Sequence, residues 1–289
     1  MSIDENARLK QKVALLESEL SKKNSEVVIY RQELIKISQR LDYLMSQISH
    51  DLKVLSEVQK NLMPTEIPTI PGFEISRKFV FGSKHGGDYF DIFEHEDKFK
   101  FGILVASSSG YAMSALFLSL ILKVSHVLEA KKGNAPDKIL QQIADEIKKT
   151  AKGEDLTSAF YAVIDRRDFS LQFCSAGKVN GYYLAPHKPV QVLKSSHSAF
   201  GVQFSEKLSL ATLELEPKSR ICVVTEGLEN VLGVENIVRI MTDNAKNGVH
   251  DLRNELLFQA QRKAGTEEPI RDQTVVVIEV KDRVIKLAK

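Results

Sequence analysis

Residues 1–62 contain neither glycine nor proline, although the chain holds 15 Gly and 8 Pro further on. Stepping alternately four and three residues from Leu9 to Leu55 passes fourteen positions, of which twelve are apolar or aromatic. A repeat of this period, sustained for more than six heptads, predicts one helix wound into a left-handed coiled coil. At about 1.5 Å per residue such a helix runs roughly 90 Å, too far to bury its seam along a compact domain. A second copy of the chain is the simplest partner, in a parallel homodimer; a helix folded back on its own domain is the alternative. Lys23 and Asp51 interrupt the seam, as polar residues that set register and oligomer state do.

Pro64, Pro68 and Pro71, followed by Gly72, end the helix. Proline removes a backbone donor and turns its predecessor toward extended conformations, so 63–72 reads as a stiff linker or as the irregular start of the next domain. Beyond it, 73–82, 88–95 and 99–106 alternate as strands. Helical periodicity then covers 112–132 and, from Pro136, continues to about Thr150. Strands are predicted at 157–165, 169–177, 180–186, 190–193, 208–216, 220–227 and 272–281, with helices at 234–245 and 250–264. Antiparallel sheets with helices outside each make an α/β/β/α sandwich the economical architecture. The expected organisation is a coiled-coil helix at 1–62, a proline-rich linker at 63–72 and a globular α+β domain at 73–289.

Composition narrows the function. Lys and Arg number 40 against 38 Asp and Glu, a balance that gives no reason to expect nucleic acid or an anionic membrane as partner. The two cysteines, Cys174 and Cys222, lie in apolar strand-like runs, which fits buried thiols rather than a disulfide framework or a zinc site. No apolar run reaches the roughly 18 residues of a membrane span, and MSIDENARLK lacks the apolar core of a signal peptide. The expected location is the cytoplasm. The seven histidines are scattered with no pair at metal-ligand spacing, and His85 reads as a solvated loop residue.

The motifs bring a resemblance. LMPTEIPTIPGFEI (62–75), GGDYFDIF (86–93), TSAFYAVID, FCSAGKVN and LEPKSRICVVTEGL follow one another in the order and spacing of the SpoIIE/RsbU-type serine phosphatases, bacterial members of the PPM (protein phosphatase 2C-like) family. The stretch from Glu57 to Lys281 resembles them throughout, and GGDYFDIF is the most specific match. The resemblance implies a β-sandwich with helices outside and a site for two divalent metals. Those metals, held by acidic residues at strand ends, activate water against phosphoserine on a partner protein. An amino-terminal coiled coil or sensor often controls members of this family.

The same resemblance marks where the chain departs. Asp88, with Asp91 nearby, matches intact. The family's D-x-S-G-H/K-G loop is SSSGYA at 107–112, so Ser107 stands in the place of a ligand Asp; Gly110 is kept, while Tyr111 and Ala112 replace the last two motif residues. The T-D-G strand end is TEG, with Glu226 one methylene longer. The closing D-D-x-T is RDQT, with Arg271 for the first Asp and Asp272 retained; S-A-G-H is SAGK, with Lys178. A fixed cation about 4 Å from a dication is repelled by roughly 8 kcal/mol at an effective dielectric near 20, and arginine cannot lose its proton to escape. Two readings stay open. One is a non-catalytic module that binds a phosphoprotein or regulator and needs no cofactor. The other is a weak Mn- or Mg-dependent serine/threonine phosphatase, with Asp88, Glu226 and Asp272 as residual metal candidates. If Asp88, Glu226 and Asp272 converge, the Arg271 guanidinium is expected within about 4 Å of Asp88 or Glu226, as an ion pair where a metal would sit.

Overall fold

The computed structural model describes residues 3–62, 66–83, 87–109, 132–151, 153–194, 197–266 and 268–281. The chain divides into two units, Met1–Val54 and Leu55–Lys289. The first unit lies within helix α1 (Ile3–Leu62), 60 residues without a break. From Arg8 to Asp51 every side chain of α1 is exposed, including large apolar ones such as Leu20, Tyr30 and Leu34. Among the described residues no helix is long and apolar enough to cross a membrane.

Two antiparallel five-stranded sheets build the globular unit. The first runs β1 (Phe73–Val80), β10 (Gln273–Val280), β9 (Arg220–Val224), β6 (Asn180–Leu184), β7 (Gln191–Leu193). The second runs β2 (Gly87–Glu94), β3 (Lys100–Ser109), β4 (Leu156–Asp165), β5 (Ser170–Ala176), β8 (Ala211–Glu214). Side-chain alternation sorts the layers. On β9 and β10, Ile221, Val223, Val276 and Ile278 enter the core shared with the second sheet. Their neighbours Cys222, Val224, Val275 and Val277 face the outer helices. All eight residues of β10 are buried because both its faces are covered. Ile67 and Ile70, in the stretch read as linker, also pack against the core, so its last part belongs to the globular unit.

Helix α2 (Pro136–Thr150) packs on β4 and β5. Pro136 sits in its first turn, where a missing N–H costs nothing. Ile139, Leu140, Ile143, Ala144 and Ile147 form its buried stripe. Outside the first sheet lie α3 (Glu226–Leu232), α4 (Val234–Asp243) and α5 (Val249–Ala264). The sandwich expected from the sequence is the observed one, with two corrections. The strand expected over 220–227 stops at Val224, and a seven-residue helix takes over at Glu226. The strand expected over 208–216 is only β8. The helix expected at 112–132 lies outside the described residues. Both cysteines are free and buried, and burial pushes each thiol up to about 12.

Candidate functional site

The site begins where the two sheets meet at their strand ends. Asp88, the second residue of β2 in the second sheet, is 1% exposed. Its Oδ2 accepts two hydroxyls, from Thr225, just past the end of β9, at 2.6 Å and from Thr274 of β10 at 2.8 Å. Ser107, directly opposite Asp88 in the β2–β3 ladder, donates to the same carboxylate. Ser107 therefore belongs to a strand, since β3 runs on to Ser109, and not to the loop expected from Ser107 onward. Burial, and then the charge of Asp272, raise the Asp88 carboxyl to about 7 against the pull of the three hydroxyls. Asp272, 2% exposed, accepts the N–H of Gly82 at 2.9 Å and that of Asp88 at 3.5 Å.

Asp91 does not join Asp88. Residues three apart in a strand point to opposite faces, and Asp91 accepts the Tyr89 hydroxyl at 3.1 Å and the N–H of Ile92 at 2.8 Å. His85, Gly86, Gly110, Tyr111 and Ala112 lie outside the described residues.

Glu226 opens the first turn of α3. Gly227 brings this turn hard against β10: a Cβ there would lie 2.0 Å from the carbonyl oxygen of Asp272. Oε1 of Glu226 is 3.1 Å from Nζ of Lys178 and 3.2 Å from Nη1 of Arg271. Asn230, one turn on, donates to the same oxygen at 3.2 Å. Lys178 reaches it because β5 ends at Ala176 and Gly177 turns the chain at φ 71°, packed so closely on Ser158 that no side chain fits. Burial alone would raise the Glu226 carboxyl, but hydrogen bonds from Lys178 and Asn230, with the charges of Lys178 and Arg271, hold it below its ordinary value. Three residues that depart from the family motifs thus meet, Lys178 and Arg271 each contacting Glu226. Sequence reading placed none of Thr225, Thr274 and Asn230 at the site, although both threonines stand inside the quoted motifs TEG and RDQT.

This donor set does not fit a pair of dications. Glu226 faces two cations, and Arg271, at 3.2 Å from it, pairs with one of the two carboxylates expected for it. Among the described residues no three His, Cys, Asp or Glu side chains are grouped to hold a metal ion.

Known proteins place the chain. A family profile, Stage II sporulation protein E (SpoIIE), matches residues 97–281. Protein IcfG of Synechocystis sp. is 22% identical over 271 residues, which cover 80% of this chain and 43% of that protein. The chain therefore spans less than half the length of that relative. Among solved structures, the SiaA-PP2C domain of Pseudomonas aeruginosa superposes with a TM-score of 0.69 at 19% identity, covering 82% of this chain and 98% of that one. The PP2C phosphatase domain of SpoIIE from Bacillus subtilis, with a fragment of its regulatory domain, gives 0.62 at 16% identity, covering 72% and 64%. The RsbU and RsbW domains of a Mycobacterium tuberculosis protein give 0.66 at 15% identity, covering 76% and 65%. At these identities the solved structures speak for the fold, and together with the profile they assign the chain to the SpoIIE family, with a phosphatase domain of the PPM (PP2C-like) type.

Proposed function

We propose that this chain is a non-catalytic member of its family. In this reading it is a cytoplasmic signalling module that binds a phosphoprotein or regulator through its phosphatase-like face and a second copy of itself through α1. The observation that carries the reading is the placement of Lys178 and Arg271 on Glu226. A dication beside Glu226 would meet two fixed positive charges, each costing several kcal/mol at close range by the arithmetic above. Neither Mn nor Mg is then a resident cofactor. The long, exposed apolar stripe of α1, interrupted at Lys23 and Asp51, supports self-pairing, because a seam of that length is stable only when covered.

One observation favours a second reading, a weak Mn- or Mg-dependent serine/threonine phosphatase. Asp88 and Asp272 keep the family's residue types and stand together. The test is release of phosphate from a phosphoserine peptide with manganese or magnesium present. The non-catalytic reading expects a rate equal to that of buffer. Metal-dependent turnover that disappears in Asp88→Ala would replace it with the second reading.

A further inference from the structure

Two cations, Lys178 and Arg271, converge on Glu226 at the edge of the site. Lys178 and Arg271 both reach one carboxylate oxygen, so a group held between them need be no larger than a phosphate. Their side chains are 68% and 53% exposed, whereas that of Glu226 is 17% exposed. The two cationic groups therefore face solvent over a carboxylate that lies beneath them. Within this trio two cationic groups meet one carboxylate.

The neighbouring carboxylates are turned elsewhere. Asp272 accepts the backbone N–H groups of Gly82 and Asp88. Asp88 is closed in by Thr225, Thr274 and Ser107. Glu229, one turn along α3, accepts the Asn180 amide at 2.8 Å and the Tyr182 hydroxyl at 2.6 Å.

We infer that Lys178 and Arg271 form a metal-independent seat for a phosphate monoester, the phosphoseryl side chain of a protein partner, held without hydrolysis. The inference rests on the non-catalytic reading above and adds to it the residues that recognise the ligand. The planar fork of arginine matches two phosphate oxygens at once, and the lysine adds a point charge. A phosphate near two negative charges at neutral pH attracts the pair more strongly than Glu226 does. Glu226 then acts as a built-in competitor, keeping singly charged anions out while a dianion displaces it toward Asn230, whose amide already reaches it. No bond is made or broken.

The experiment uses the full-length chain in EDTA. It titrates a labelled phosphoserine peptide with uncharged flanks, its unphosphorylated twin, and inorganic phosphate as competitor. Only the phosphorylated peptide should bind. Arg271→Gln and Lys178→Gln should each weaken it about tenfold or more, and Glu226→Gln should tighten it. The Arg271 and Lys178 side chains are more than half exposed, so these variants should melt as the parent does. No binding of the phosphopeptide, equal binding of its twin, binding indifferent to both cation variants, or weakening by Glu226→Gln would each overturn the inference. Inorganic phosphate binding as tightly as the peptide would overturn the phosphoprotein assignment. Phosphate release with manganese would sink the non-catalytic reading instead, while the EDTA titration judges the seat by itself.

Discussion

The Thr225 hydroxyl donates to the Asp88 carboxylate at 2.6 Å, tying the residue that follows β9 of one sheet to β2 of the other. Thr274, which pairs with Thr225 through its own backbone N–H at 3.0 Å, donates to the same oxygen. The Asp88 carboxylate is thus a clasp between β2 and the ends of β9 and β10. Its energetics are those of a buried hydrogen-bonded acid.

Acid titration should expose this clasp. The Asp88 carboxyl stands at about 7 in the folded protein, above its unfolded value. The folded state therefore binds more protons between about pH 4 and pH 7, and this group's contribution, complete at low pH, is lost as pH rises through that window. Urea denaturation from pH 4 to 8 should reveal a decline that Asp88→Asn flattens, by on the order of a few kcal/mol. Parallel pH profiles for the two proteins would contradict it.

Gly227→Ala should destabilise by about 1–3 kcal/mol or more. The new methyl would meet the backbone of Asp272, which cannot rotate away as a side chain can. Equilibrium unfolding measures this directly, and an unchanged midpoint would mean that α3 does not sit where described.

Arg220 and Glu279 form a buried ion pair at 2.6 Å, with side chains 6% and 8% exposed. Arg220 also donates to the carbonyl of Asn244 at 2.8 Å and to that of Asn247, at the end of α4. Arg220→Met should cost roughly 3–5 kcal/mol, since it leaves a buried carboxylate short of its partner, and the further change Glu279→Leu should recover part of that loss. A double variant no more stable than the single one would argue that the α4 contacts carry the effect.

For assembly, light scattering of the full chain should report twice the monomer mass. Leu34→Glu combined with Leu41→Glu, both in the seam, should return it to monomer. A monomeric parent protein would remove self-pairing through α1 from the proposal.

Much of the fold was legible because alternation and helical periodicity are local signals. The stripe of α2 and the two-faced burial of β10 follow from residues a few positions apart. The switch from β9 to α3 was not legible, because TEGLENVL continues an apolar strand and a seven-residue helix has too few turns to impose its own period. What breaks the strand is contact with Asp272 through Gly227, which lies 45 residues away in sequence. The site was legible as a set of substituted motif positions. The pair of Arg271 with Glu226 was one of the two expected; the arrival of Lys178 on the same carboxylate, and the reach of Thr225 and Thr274 across to Asp88, were not legible, because they depend on which strand ends the two sheets bring together.

Arg271 and Asp272 are consecutive, yet one is half exposed and the other almost sealed. They stand at the threshold of β10, whose ladder with β1 locks Gln273 opposite Val80 and continues pair by pair to Val280 opposite Phe73. Side chains change faces with every step of a strand. Sliding this strand by one residue would carry the guanidinium inward and the carboxylate outward. The sign of the charge presented at the opening is thus a matter of ladder phase, and a single inserted residue ahead of Gln273 would invert it without altering any side chain.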